Sequence, residues 1–241
     1  MIDLHTHILP GIDDGARDTE TSLELLRMEK AQGVDRVVLT SHFYRDREDA
    51  KTFLGRRQRA LARLEAAADR LPAEERAALP KWELGAEVAW LPNLADREEL
   101  AELCLGESRY FLLELPCTPW SDQMIHQIYD LLSRGEYTPV IAHLDRYWND
   151  QRPEHITELL RMGVPIQVSA GILLKPFARR KALQMIGRGQ VHLLASDCHS
   201  LQHRPPNLGA AMEVVSRRLG EEQVQRLCRW AETLCQPAAK A

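Results

Sequence analysis

Short β-type runs alternate with longer helical patterns along the whole chain, and this alternation constrains the fold more than any other feature. Runs at residues 2–5, 36–40, 82–87, 110–115, 139–143, 165–169 and 191–196 are rich in Val, Ile, Leu or aromatic residues. They read as strands of a parallel sheet covered on both faces. Helical patterns separate them at 19–32, 47–70, 122–133, 154–162, 178–187 and 207–219, and a terminal helix is predicted at about 221–235. The first stops at Gly33 and the third places Ile125, Ile128 and Leu132 on one face before Gly135, as helix C-termini commonly do. Strand–helix–strand crossovers force parallel pairing, and seven such units suit a closed or nearly closed α/β barrel better than an open sheet. No Gly/Ser-rich linker or internal repeat interrupts the chain, so residues 1–241 read as one domain. The Ala/Glu/Arg-rich stretch 66–78 is the nearest thing to a mobile insertion.

Composition narrows the function. The hydrophobic fraction of 44% supports a full core, and a net charge of −4 gives no support for a general binder of nucleic acid or membrane surfaces. No apolar run approaches the ~18–20 residues of a membrane span, so membrane insertion is not expected. The opening Met-Ile-Asp-Leu-His lacks a signal core, and five cysteines without a CxxC pair suit a reducing cytoplasm.

Ligand-type side chains collect at the downstream ends of the predicted strands. His5 and His7 close the first, with Asp13 and Asp14 in the loop that follows; His42 follows the second; Glu87, Glu114 and His143 end the next three; Asp197 and His199 follow the seventh. In a parallel barrel all these ends open on one face, where barrel active sites sit. His-x-His aims two imidazoles the same way, because residues i and i+2 of a strand share a face. Mixed imidazole and carboxylate suits Zn²⁺, Mn²⁺ or Fe, and so many ligand-type side chains exceed one tetrahedral centre, so two or three metals are expected. A carboxylate ending an apolar strand is costly to bury without a partner, which makes Glu87 and Glu114 hard to explain as packing.

These residues match a family pattern. Asp-Leu-His-Thr-His-Ile-Leu-Pro-Gly-Ile-Asp-Asp-Gly at the N-terminus, Thr-Ser-His42, Gly-Ala-Glu87, Glu114-Leu-Pro, His143-Leu-Asp-Arg146, Gln167-Val-Ser-Ala-Gly, and Asp197-Cys-His199 leading to Arg204-Pro-Pro run in order from residue 3 to 206. The chain thereby resembles the polymerase and histidinol phosphatase (PHP) superfamily of metal-dependent phosphoesterases. Within it, the chain is similar to the bacterial tyrosine-protein phosphatases encoded with capsule and exopolysaccharide genes. The resemblance implies a distorted (β/α)7 barrel with a trinuclear centre. It would place His5, His7, Glu87 and Asp197 on the first metal, Glu87, Glu114 and His143 on the second, and Asp14, His42 and His199 on the third. Arg146 and Arg204 match the family's phosphate-binding arginines. Thr-Ser41-His42 and His143-Leu144-Asp145-Arg146 depart from the family's usual Thr-Pro-His and His-Pro-Glu-Arg without removing a ligand.

The expected reaction is hydrolysis of a phosphomonoester by metal-activated hydroxide, with the two guanidiniums on the phosphate oxygens. The expected substrate is a phosphotyrosine protein, a bacterial tyrosine kinase tail in exopolysaccharide or capsule regulation. Mn²⁺ is the first choice of metal, with Fe, Co²⁺ or Zn²⁺ also compatible. The alternative readings are a histidinol-phosphate or other small-molecule phosphatase, and a non-catalytic metal-binding module. Carboxylates at Asp14 and Glu114, where histidinol-phosphate phosphatases usually have histidine, favour the tyrosine branch. Aromatics after the ligand-bearing strand ends (Phe43, Tyr44, Trp90, Trp120, Tyr147 and Trp148) suggest a rim for an aryl group, or else loop packing.

Overall fold

The computed structural model describes residues 1–94 and 99–237. Its strands are β1 (Ile2–Thr6), β2 (Arg36–Leu39), β3 (His42–Phe43), β4 (Lys81–Leu84), β5 (Glu87–Ala89), β6 (Tyr110–Glu114), β7 (Thr138–Ile141), β8 (Gln167–Ser169) and β9 (Leu193–Ala195). The helices are α1 (Thr19–Ala31), α2 (Ala50–Ala68), α3 (Ala73–Ala78), α4 (Leu100–Leu103), α5 (Asp122–Arg134), α6 (Pro153–Arg161), α7 (Ala170–Leu173), α8 (Arg179–Gly187), α9 (Leu208–Leu219) and α10 (Glu221–Leu234). Every strand pairing is parallel among the described residues.

Seven staves close into a ring. β2 and β3 form one stave and β4 and β5 the next: the ladder continues across the gaps through Gly85 N–H to the Leu39 carbonyl (3.0 Å) and Glu87 N–H to the Ser41 carbonyl (3.1 Å). The predicted strand 82–87 is thus broken in the middle, at Gly85, where an added Cβ would press on Val38 Cγ1 at 3.0 Å. From there the order runs β5, β6, β7; a single bridge from Ile141 to Ile166 joins β8, which pairs with β9. β9 returns to β1 through Thr6 and Cys198, with His7 N–H donating to the Cys198 carbonyl at 2.9 Å. The joins beside β8 and β1 are the thin ones, and the barrel is distorted there.

Two cores hold the staves. Leu4, Val38, Leu112, Val140 and Leu193 form an inner cluster, capped by Ala231, Leu234 and Cys235 at the end of α10. α10 therefore stops the barrel at the end opposite the strand C-termini. The larger cluster packs alternate strand residues, such as Val37, Leu39, Phe111 and Ile141, with residues of the surrounding helices. The stretch 66–78 is helical for most of its length, as the end of α2 and the whole of α3, rather than a loose insertion.

Candidate metal centre

β1 slips by one residue against β2: Asp3 faces Val37, whereas Thr6 faces Leu39. Such a bulge re-aims the side chains beyond it. Leu4 lies in the inner cluster with Val38, and past the slip His5 and His7 turn towards the axis, their Nε2 atoms 3.1 Å apart. The Asp13-Asp14-Gly15 turn folds back over them. Gly15 is required, because a Cβ there would lie 2.1 Å from the His7 carbonyl oxygen. Two other contributors, His143 and Asp197, hold left-handed backbone conformations (φ 33° and 54°). Such conformations cost a non-glycine residue roughly 1–3 kcal/mol and persist where surrounding structure imposes them.

All nine sequence-predicted ligands meet at this mouth. His5 Nε2 and His7 Nε2 approach Glu87 Oε2 at 3.2 and 3.3 Å and Asp197 Oδ1 at 3.5 and 3.6 Å. His143 Nε2 lies 2.6 Å from Glu87 Oε1 and 3.8 Å from Glu114 Oε1. His42 presents Nδ1 to Glu87 (3.0 Å) and Nε2 to Asp14 (3.4 Å), and His199 Nε2 also lies 3.4 Å from Asp14. Three groups have ligand atoms close enough for a common ion: His5 with His7 and Glu87; His42 with Glu87 and Glu114; and His7 with Asp14, His42 and His199. Glu87 sits between the first two. Relative to the sets implied by the resemblance, His7 also reaches the Asp14 group and His42 also reaches the Glu87–Glu114 pair, whereas Asp197 and His143 fall outside these groups among the described residues.

The donors fit divalent cations. His42 Nδ1, Glu87 Oε2, Asp197 Oδ1 and His199 Nε2 are buried without a hydrogen-bond partner, although each has a neighbouring donor or acceptor within ion-pair distance. These atoms converge on common points instead of aiming at one another. Orphaned buried polar atoms cost about 1–3 kcal/mol each, and a cation at the convergence removes that penalty. Charge points the same way. Burial opposes ionisation of His7, yet the Asp13 and Glu87 carboxylates carry its pKa up to about 10. Burial likewise opposes ionisation of Asp197, but His5, His7 and Arg146 hold it down at about 2. His199 falls to about 4 through burial and the nearby His7 charge. A nest of buried carboxylates demands positive charge, from protons or from metal ions.

Sequence reasoning left two residues of the centre without a role. Asp13 Oδ2 accepts from His7 Nδ1 (2.9 Å) and from the His42 backbone N–H (3.1 Å). Gln167 Oε1 accepts from His5 Nδ1 (3.3 Å) and from the His143 backbone N–H. Both fix the far nitrogen or the backbone of a candidate ligand histidine, as partners behind metal ligands do. Gln167 had two signals, its place in the family-matching Gln167-Val-Ser-Ala-Gly and its polarity within the apolar run Pro-Ile-Gln-Val, but neither specified its role. Arg146 and Arg204 each donate an Nη2 hydrogen bond to Asp197 Oδ2, and their side chains remain 35% and 38% exposed.

The aromatic rim does not form. Phe43, Trp120, Tyr147 and Trp148 are buried: Phe43 packs on Phe53, and Trp120 packs on Tyr147 and donates to the Pro116 carbonyl. Strand ends that deliver ligands also carry the loops that must be packed down, and these large rings do the packing. Trp90 is half-buried and packs against the larger core, and Tyr44 is half-buried at the mouth. Tyr44 stacks 5.1 Å from His42 beneath Arg47, beside a cavity of about 550 Å³ that also touches Asp13, Asp14 and Arg56.

Residues 1–234 match the family model described as "Capsular polysaccharide synthesis, CpsB/CapC". The chain is 30% identical to tyrosine-protein phosphatase CpsB of Streptococcus pneumoniae over 94% of both chains. It is 28% identical to tyrosine-protein phosphatase YwqE of Bacillus subtilis, over 97% of this chain and 91% of that one. A crystal structure from a study of YwqE and CpsB, described as unique metal-dependent tyrosine phosphatases, superimposes with a TM-score of 0.82 at 25% identity over the full length of both chains. Histidinol phosphate phosphatase from Lactococcus lactis shares the fold, with a TM-score of 0.51 at 9% identity.

Proposed function

Because the chain belongs to the CpsB/CapC capsular polysaccharide synthesis family, we infer that the convergent histidines and carboxylates form the reaction centre of a metal-dependent tyrosine-protein phosphatase. One observation carries the reading of the site: two half-exposed guanidiniums, Arg146 and Arg204, share the carboxylate of Asp197, itself part of the ligand cluster. Anion-binding groups thus stand at the edge of a cation-binding nest, the arrangement phosphoryl transfer uses.

Bound divalent metals supply Lewis acidity, which polarises a phosphoryl group and acidifies an attacking water. His5, His7, Glu87 and Asp197 would hold one ion; Glu87, Glu114 and His143 a second; Asp14, His42 and His199 a third. Mn²⁺ is the proposed resident, since the donor set accepts it along with Fe, Co²⁺ and Zn²⁺. Arg146 and Arg204 grip the equatorial phosphate oxygens in paired hydrogen bonds and offset the charge that builds there. Tyrosine leaves with a conjugate pKa of ~10, so it asks less of a general acid than an alkoxide does. The proposed substrate is a phosphotyrosine of a bacterial tyrosine kinase tail.

The test pairs metal analysis with turnover of a phosphotyrosyl peptide. His5→Ala should lower metal content and activity together. Arg204→Ala should keep its metal and lose about a hundredfold or more in kcat/KM, the scale seen when a charge-stabilising donor is removed. An Arg204→Ala enzyme as active as the parent would remove the arginine from the mechanism. Faster turnover of histidinol phosphate than of the peptide would move the enzyme to the small-molecule branch.

A further inference from the structure

The chain carries a net charge of −4, yet the stretch between Glu158 and Asp197 has no acidic residue and six basic ones: Arg161, Lys175, Arg179, Arg180, Lys181 and Arg188. Four of these lie within residues 175–181, on the segment that leaves α7 and enters α8. In the middle of it Phe177 is 99% exposed, and Leu174 beside it is 41% exposed. A ring held wholly in water adds nothing to the core. Among the described residues no carboxylate pairs with Lys175, Arg179 or Arg180. Arg179, Arg180 and Lys181 also occupy the first turn of α8, where the helix dipole disfavours positive charge. Neither the Phe177 ring nor the charges of Lys175, Arg179 and Arg180 find a partner among the described residues.

Its position is fixed relative to the reaction centre. The segment follows β8, whose downstream end opens on the same mouth as the other strands. Asp145, next to Arg146, accepts from the Ser169 N–H at 2.8 Å. Lys181 Nζ donates to the Trp148 carbonyl at 2.9 Å and stands over that indole at 4.8 Å. The patch is thus tied on both sides to the loop that carries Arg146, away from the barrel end stopped by α10.

We propose that residues 174–181 form a peripheral anchor for an anionic membrane surface. Phe177 and Leu174 enter the headgroup layer while Lys175, Arg179 and Arg180 pair with lipid phosphates, which turns the mouth of the barrel towards the bilayer. The shape selects this partner over an acidic polypeptide: a protruding ring ringed by cations suits a deformable interface, whereas a peptide backbone needs a groove. Long basic side chains can keep their charges at the phosphates while their stems follow the ring inwards. No helix among the described residues is long and apolar enough to cross a membrane, so the contact is adsorption.

The test is flotation of the full-length protein with vesicles of phosphatidylglycerol mixed equally with phosphatidylcholine, against phosphatidylcholine alone. At about 0.1 M salt the protein should float with the anionic vesicles only, and about 1 M salt should release it. Arg179→Glu/Arg180→Glu should weaken binding at least about thirtyfold, and Phe177→Ser about tenfold. Both variants should keep the parent's unfolding midpoint and its turnover of a small aryl phosphate. Equal flotation with both vesicle types, none with either, or a Phe177→Ser protein that binds like the parent would overturn the proposal. So would concentration-dependent self-association of the parent that Phe177→Ser abolishes, since the patch would then be a contact between copies.

Discussion

Asp13 accepts from the His7 ring and from the His42 backbone at once, tying together residues 35 positions apart without belonging to any of the three candidate ion groups. Its charge keeps Nδ1 of His7 protonated and leaves Nε2 to face Glu87. Asp13→Asn preserves size and one acceptor but removes that charge, so metal affinity should fall about 10–100-fold. Calorimetric titration of the metal-stripped protein with Mn²⁺ checks this; unchanged affinity would show that Asp13 only shapes its turn. The candidate ligand residues were legible in the sequence because chemistry restricts such residues to a few types at strand ends. The supporting roles of Asp13 and Gln167 were not, because what each residue does shows only once the far side of each imidazole is seen.

At the scale of elements, helix and strand existence followed from period and punctuation, and α1 and α5 end beside Gly33 and Gly135 as expected. The slip in β1 and the two-residue β3 had no such signature. A one-residue register shift is decided by which neighbours pack, and it is this shift that lets Leu4 and His5 share the barrel interior. Terminal helix α10 had a visible pattern but no visible partner; in the fold its Leu234, fully buried, plugs the barrel. Leu234→Ala should destabilise the protein by about 2–5 kcal/mol, read as a lower urea midpoint, with metal content unchanged because the plug and the centre lie at opposite ends. A loss of metal without loss of stability would contradict that placement. The aromatic rim failed at this same scale: a large ring after a strand end is ambiguous between lining a mouth and packing a loop, and burial of Trp120 and Tyr147 decides for packing.

For the molecule as a whole, pH dependence has a source remote from the candidate metal centre. His192 is lowered to about 4 by burial and by the Arg226 charge, and its Nδ1 accepts from the Ile166 N–H at 3.1 Å, so the folded state holds it neutral. The unfolded chain takes up a proton near the ordinary value of ~6.5. Stability is therefore undiminished above that pH and declines as pH falls from about 6.5 towards 4, by on the order of 2 kcal/mol for a partly exposed ring. His192→Asn keeps an acceptor without the titration and should flatten the decline between about pH 6.5 and 4.5 in urea melts; an equally steep decline would place its cause elsewhere. Sequence alone determined the alternation of seven strand units with helices, and the nine candidate ligand residues at strand ends, because both are written in local period and residue type. Tertiary structure decided how the ring closes, which carboxylate receives both arginines, which aromatics vanish into the packing, and that an acidic chain presents one basic, apolar face. Those outcomes depend on contacts between residues far apart in the chain, whose energies are set only once the staves have paired.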